Sequence, residues 1–250
     1  YHNESSHMAK WPRKQWFYCE IAPQDRGCTP IVDCREVYRQ LPAAVIAELE
    51  SKGLLYVRHF TDQLDVRWED FFKTDDPNEV EAQCRAADMG WTWSEGNNGR
   101  KNLRIEQFCP AVIQHPITGE KSFFNQVQLH HECCLDPEVR RDLRSQFGAD
   151  QMPRNVYYGD GSVIADETME IIGRTYEQCA VRFQWQQGDV VMLDNMLVAH
   201  ARDPFSGPRK ICVAMGQMIT RAALAEANAQ NQASASHKAP AEPNKQKQPA

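Results

Sequence analysis

His2-Asn3-Glu4 sets an imidazole and a carboxylate two residues apart near the start of the chain. On an extended segment, residues i and i+2 project to the same side, so both side chains can reach one point in space. A histidine from a neighbouring strand would give three ligands on one face of an octahedral metal and leave three positions open, the arrangement of non-haem iron(II) sites. Taken alone, the tripeptide reads equally well as a solvated chain end. A partner lies far along the sequence. Through Asp194-Asn195-Met196-Leu197-Val198-Ala199-His200 a strand delivers a histidine, a turn follows at Pro204 to Pro208, and Arg209 begins the returning strand. An arginine so close to a third ligand suits a keto-acid co-substrate. Its planar fork can take the distal carboxylate of 2-oxoglutarate in two charge-assisted hydrogen bonds, while the keto acid chelates the metal. A core histidine and a surface arginine are the plain alternatives for His200 and Arg209.

A second set of metal-binding side chains competes with the first. His130-His131-Glu132-Cys133-Cys134 contains another His-x-Glu pair and two thiols of the kind that suit zinc. Consecutive residues of an extended chain alternate faces, so all five cannot meet one ion, and no second pair at ligand spacing follows. The segment is expected to line an entrance or to pack. Asp194 and Asn195 could hold hydrogen bonds near His200 or end a strand. Ser5 and Ser6 face either substrate or solvent. Gly159-Asp160-Gly161 lacks the spacing and lysine of a phosphate loop and reads as a turn. Trp91, Trp93 and Trp185 read as core, and His7, His59 and His115 receive no role.

Several motifs together carry a family resemblance. The stretch GDVVMLDNMLVAHARDPFSGPRKICVAM (188–215), YYGDGS (157–162), HPITGEKSFFNQ (115–126), and upstream HNE, WPRKQWFYC and TPIVDCREV resemble the TauD/TfdA, or clavaminate-synthase-like, oxygenases in that family's order, from His2 to Met215. Within the family the sequence is similar to hydroxylases of peptide natural-product pathways and their plant and fungal relatives. The resemblance implies a double-stranded β-helix (jelly roll) and an iron(II) cofactor held by His2, Glu4 and His200. It also implies 2-oxoglutarate and dioxygen as co-substrates, a 2-oxoglutarate contact at Thr29, and a carboxylate-binding Arg209. Many members carry that arginine several residues later, where this chain has Val213 and Ala214, so Lys210 and Arg202 are candidate helpers. Related halogenases have a small residue at the position of Glu4, and a carboxylate there favours hydroxylation or desaturation.

The elements that must position these groups are strands at both ends with helices between them. Lys14 to Ala22 and Gly27 to Cys34 read as extended. Asp33 is placed to cap a helix through REVYRQL, and Pro42 to Lys52 continues helical until Gly53. Leu54 to Phe60 is a buried strand, and DPNEVEAQCRAADM is helical before a short GWTW piece. A hairpin turning at Thr118-Gly119, a helix from Asp136-Pro137, and a helix over Asp166 to Ala180 follow. VRFQW, DVVMLDN, MLVAH and RKICVAMGQM close the structured part as strands. Residues 221–250, rich in alanine, glutamine and proline, offer little to bury and are expected to be disordered beyond one helical turn. The predicted organisation is therefore a jelly-roll oxygenase domain over 1–220 and a tail over 221–250. Because the sequence opens at Tyr1, the upstream part of the family's domain is expected to be missing from it.

Composition sets outer bounds. A net charge of -6 argues against a nucleic-acid surface, and no apolar run is long enough to span a bilayer. Nine cysteines without a C-x-x-C pair read as reduced thiols and a cytoplasmic setting. The expected partner is a small-molecule substrate, first an amino acid, free or tethered to a carrier protein, and next a small organic acid. Two readings of other classes stand beside the oxygenase: a non-catalytic jelly-roll scaffold, and a zinc protein using 130–134.

Overall fold

The computed structural model describes residues 1–61, 66–96 and 99–236 and shows a mixed helix–sheet protein. Its longest strand, β1 (Lys10–Ile21), lies between β11 (Val190–Asp194) and β14 (Lys210–Thr220), antiparallel to both. A short sheet alongside has β3 (Ile31–Asp33) between β10 (Ala180–Val181) and β12 (Val198–His200). β2 (Asp25–Arg26) pairs with β13 (Phe205–Ser206), and β7 (Ile113–Gln114) with β8 (Lys121–Ser122). A four-stranded antiparallel sheet runs β5 (Gly90–Glu95), β6 (Lys101–Cys109), β4 (Leu54–Phe60), β9 (Arg154–Tyr158).

The helices are α1 (Cys34–Gln40), α2 (Ala43–Lys52), α3 (Trp68–Phe72), α4 (Pro77–Ala86), α5 (Val127–His130), α6 (Pro137–Phe147), α7 (Asp166–Cys179) and α8 (Arg221–Ser236). Their starts follow local chemistry. Asp33, Asp76 and Asp136 each accept from backbone N–H groups of the first turn, satisfying donors that have no partner inside the helix. The principal core lies where α1, α2 and α7 pack on β4 and β9, around Val37, Leu49, Leu54, Val156, Ile172 and Tyr176. A smaller core of Phe17, Cys19, Trp185 and Leu193 fixes β1 and β11. None of the described helices is long and apolar enough to cross a membrane.

Three expectations need correction. VRFQW is strand only at its first residue, Val181, which with Ala180 forms β10, because β3 is short and pairs with β10 at two positions. β6, inside the four-stranded sheet, and β9, at its edge, were not anticipated. The tail is not disordered from residue 221: α8 continues for 16 residues. Its alanine-rich sequence suits a helix, and Leu224 is buried against Trp11, Ile113, Phe124 and Met196. Asn228 and Asn231 also donate to the carbonyls of Gln114 and Pro116. Residues 237–250 of the expected tail lie outside the described residues.

Candidate metal centre

His2 and His200 are directly opposite each other in an antiparallel bridge and exchange both backbone hydrogen bonds, each at 3.0 Å. Their side chains therefore leave the same face, and the ring centres are 4.3 Å apart. Glu4 joins them: its Oε2 is 3.8 Å from His2 Nε2. One ligand atom from each of His2, Glu4 and His200 lies within 4.8 Å of the others. The chain is extended only up to this point. Beyond Glu4 it turns back, with Ser5 at a φ of 55°.

What holds this tripeptide is a set of buried amides. Asn3, fully buried, donates to the Asn195 carbonyl at 2.8 Å, and its backbone N–H donates to Asn125 O. Asn195, also fully buried, accepts from Glu4 N at 2.6 Å and donates to Glu4 O and Pro12 O. Gln126 donates to Asn3 O. The segment is thus tied to β1, to the approach to β12, and to the 125–126 loop. Of the two serines, Ser6 is buried and donates to Asn3 O, whereas Ser5 donates to the Glu4 carboxylate.

Charge in the triad suits a cation. The Glu4 carboxyl is held below its usual range chiefly by the hydrogen bond with His2. Burial, helped by His2 nearby, pushes His200 down to about 3 and leaves it neutral, as a metal ligand must be. His200 Nδ1 is buried with no hydrogen-bond partner among the described residues. Two neutral-capable imidazoles, a carboxylate and an unsatisfied ring nitrogen fit a divalent transition metal.

Thr29 and Arg209 meet on the wall of the same cavity, of about 560 Å³, that His2 and His200 line. Arg209 Nη2 donates to Thr29 Oγ1 at 3.0 Å, and its Nε donates to Gly27 O at 2.9 Å. Trp185, buried as expected, donates to the same threonine oxygen at 3.0 Å. Two of the five guanidinium N–H donors are thereby used to orient the group. Burial, then the charge of Arg202, lowers the Arg209 pKa, so an anion placed here would relieve two cations at once. Arg202 lines the cavity, whereas Lys210 does not: it pairs with Glu20 at 2.9 Å on the exposed side of the sheet.

The competing cluster at 130–134 folds as a turn of α5 followed by a 3-10 turn, not as an extended chain. His131, Cys133 and Asp166 converge there, but both nitrogens of His131 are engaged, one with Ile164 O and the other with Cys133 N. Asp166 is occupied by Arg140, and Glu132 by Arg144. This arrangement is a satisfied polar network. His130 faces elsewhere, with its ring 4.9 Å from those of His7 and Tyr56.

The family profile described as Taurine catabolism dioxygenase TauD, TfdA family matches residues 1–215. The dapdiamide synthesis protein DdaC of Enterobacter agglomerans is 35% identical over 216 residues, covering 86% of this chain and 64% of that protein. A clavaminate synthase-like protein of Arabidopsis thaliana is 31% identical over 226 residues, with the same shares of 86% and 64%. The chain therefore spans less than two thirds of the length of these curated relatives. Among solved structures, a putative alpha-ketoglutarate dependent 2,4-D dioxygenase from Burkholderia xenovorans aligns with a TM-score of 0.47 at 18% identity, over 88% of this chain and 67% of that one.

Proposed function

Because the chain belongs to the TauD/TfdA dioxygenase family, we propose that it is an iron(II)- and 2-oxoglutarate-dependent oxygenase that hydroxylates or desaturates a small molecule. One observation carries the reading: the donor atoms of His2, Glu4 and His200 converge beside a cavity whose wall bears the Thr29–Arg209 pair. The two paired strand systems around β1 and β3 are read as part of a jelly roll. The sets of residues play separate parts. His2, Glu4 and His200 would hold the metal. Arg209, oriented by Gly27 and Thr29, would bind the distal carboxylate of 2-oxoglutarate, with Arg202 adding positive charge nearby. Phe17, edge-on to His200 at 5.1 Å, together with Ile211 and Val213, gives that cavity apolar walls that limit water. Bound iron would supply the oxidation of an unactivated carbon coupled to decarboxylation of the keto acid, so the protein's contribution is binding and positioning.

Likeness to a dapdiamide synthesis protein supports a place in natural-product biosynthesis, with an amino acid, free or carrier-tethered, or a small organic acid as substrate. Anaerobic addition of iron(II) and 2-oxoglutarate should produce a weak visible charge-transfer band. His200→Ala should abolish the band and Cys133→Ala should leave it. No band in the unaltered chain would favour a scaffold role. Loss with Cys133→Ala alone would move the metal to 130–134.

A further inference from the structure

Cys133 and Cys134 set two free thiols side by side, Sγ to Sγ 3.8 Å, with Cys134 exposed and Cys133 half-buried. Neighbours on an extended chain would point to opposite faces, but the tight 3-10 turn Glu132–Cys134 lets the two sulfurs meet. Their surroundings make them unequal. The Cys134 thiol is lowered by the hydrogen bond from Cys133 and by the charge of Arg140, against burial and Asp166. The Cys133 thiol is raised, first by that same hydrogen bond and then by burial. Cys134 is therefore the sulfur that carries thiolate, the reactive form, and Cys133 is the protonated neighbour. Cys133 also borders an open space of about 480 Å³ beside Arg140, Arg144 and Asp166, so a small reagent has a path to the pair. Backbone bonds fix the turn: Cys133 N donates to His131 Nδ1 at 3.2 Å, Cys134 N to His131 O, and Leu135 N to Glu132 O. Glu132 in turn anchors α6 through Arg144, whose Nε donates to it at 2.7 Å.

We propose that Cys133 and Cys134 form a redox-active dithiol, oxidised by hydroperoxides to a disulfide between chain neighbours. Cys134 attacks the O–O bond of the peroxide; a sulfur–oxygen bond forms, and the other oxygen leaves and takes up a proton as water. The Cys133 sulfur then displaces the hydroxyl of that sulfenic acid, forming the S–S bond and a second water. Two thiol protons and two electrons thus pass to hydrogen peroxide, which departs as two molecules of water. The product is easily reversed. Consecutive Cα atoms lie about 3.8 Å apart, closer than the roughly 4.4–6.8 Å that disulfides usually span, so the small ring is strained and readily reduced by another thiol. Closing it draws the sulfurs from 3.8 Å to about 2 Å, which distorts the turn and loosens the hold of Glu132 on α6. This site is separate from the candidate metal centre and stands whether or not that centre binds iron.

Trypsin makes the test specific. Cleavage after Lys121 and Arg140 releases residues 122–140, whose two cysteines are this pair, and cleavage after Lys210 and Arg221 releases 211–221, which carries the exposed Cys212 as an internal reference. The full chain, kept metal-free with a chelator, is treated with hydrogen peroxide, alkylated, digested and weighed. Peptide 122–140 should lose two hydrogen masses and take up no alkylating group, at least tenfold faster than Cys212 is oxidised, and dithiothreitol should restore both thiols. Cys133→Ser should stop at a Cys134 sulfenic acid that dimedone traps, whereas Cys134→Ser should slow oxidation of the peptide at least tenfold. Phenylarsine oxide, which bridges two thiols, should label this peptide in the unaltered chain and in neither variant. Amide exchange in α6 should quicken on oxidation and recover on reduction. Separate oxidation of the two sulfurs without the ring, a rate no faster than that of Cys212, or an α6 that does not respond would each overturn the proposal.

Discussion

Replacing Asn195 with alanine removes an amide that touches no expected ligand atom yet makes three hydrogen bonds to the backbone beside the triad. Pro12 is buried, and so is the hydrogen bond its carbonyl accepts, and losing that partner costs about 1–3 kcal/mol. The two bonds to the Glu4 backbone lie at a half-buried residue that water can reach, so each contributes about 0.5–1.5 kcal/mol. Allowing for their sharing one side chain, Asn195→Ala should destabilise the chain by about 2–5 kcal/mol. Because the same bonds set where Glu4 leaves the backbone, iron(II) affinity should also fall by about 10–100-fold, as for other groups that orient ligands. Urea unfolding of the metal-free chain gives the first quantity, and anaerobic iron titration below the unfolding range gives the second. Should stability fall while iron affinity stays within threefold of the unaltered chain, Asn195 is a packing residue and the account of ligand positioning is wrong.

Arg209→Ala should weaken 2-oxoglutarate by about 2–5 kcal/mol, and Arg209→Lys should not restore it, because an ammonium cannot reproduce the oriented fork; titration of the charge-transfer band measures both. An effect under threefold would shift the anchoring role to Arg202. His7, His130 and His200 all have folded-state pKa values below the ordinary histidine value. The metal-free protein should therefore keep its full stability above about pH 6.5 and lose it as pH falls toward 4, by up to ~1.4 kcal/mol per pH unit per histidine. Urea midpoints from pH 7 to 4.5 check this, and a His7→Asn, His130→Gln double variant should flatten the slope. Leu224→Ala should cost about 2–4 kcal/mol if α8 is docked as described; a change under 0.5 kcal/mol in urea unfolding would show that the helix contributes nothing to the fold.

The sequence discloses the site's chemistry better than its support. Spacing alone brings His2 and Glu4 to one side, and the α1 cap at Asp33 and the strand Leu54–Phe60 are read directly from local pattern. Asn3 is invisible to the same rule: alternation points it away from the metal, where its role is to bury itself against Asn195 and Asn125. β6 and β9 escaped because Gln107 and Asn155 occupy inward positions, and a buried amide breaks the apolar alternation that marks a strand. Missing those strands also hid the β4–β9 register that sets Arg58 opposite Arg154, since opposition across a sheet depends on register and not on sequence distance. His7 received no role for a similar reason: nothing near it in sequence says that β4 and α5 will close around it.

The His2–His200 bridge joins two remote points of the chain through one pair of backbone hydrogen bonds. A metal bound by both side chains would act as a clasp on that ring, closing nearly the whole polypeptide at one seam. Opening the seam would then require releasing the ion, so metal occupancy and resistance to unfolding should rise together by mass action. Chelation should accordingly loosen this chain first where β12 meets the opening tripeptide, and protease cleavage near that junction would time the ion's departure.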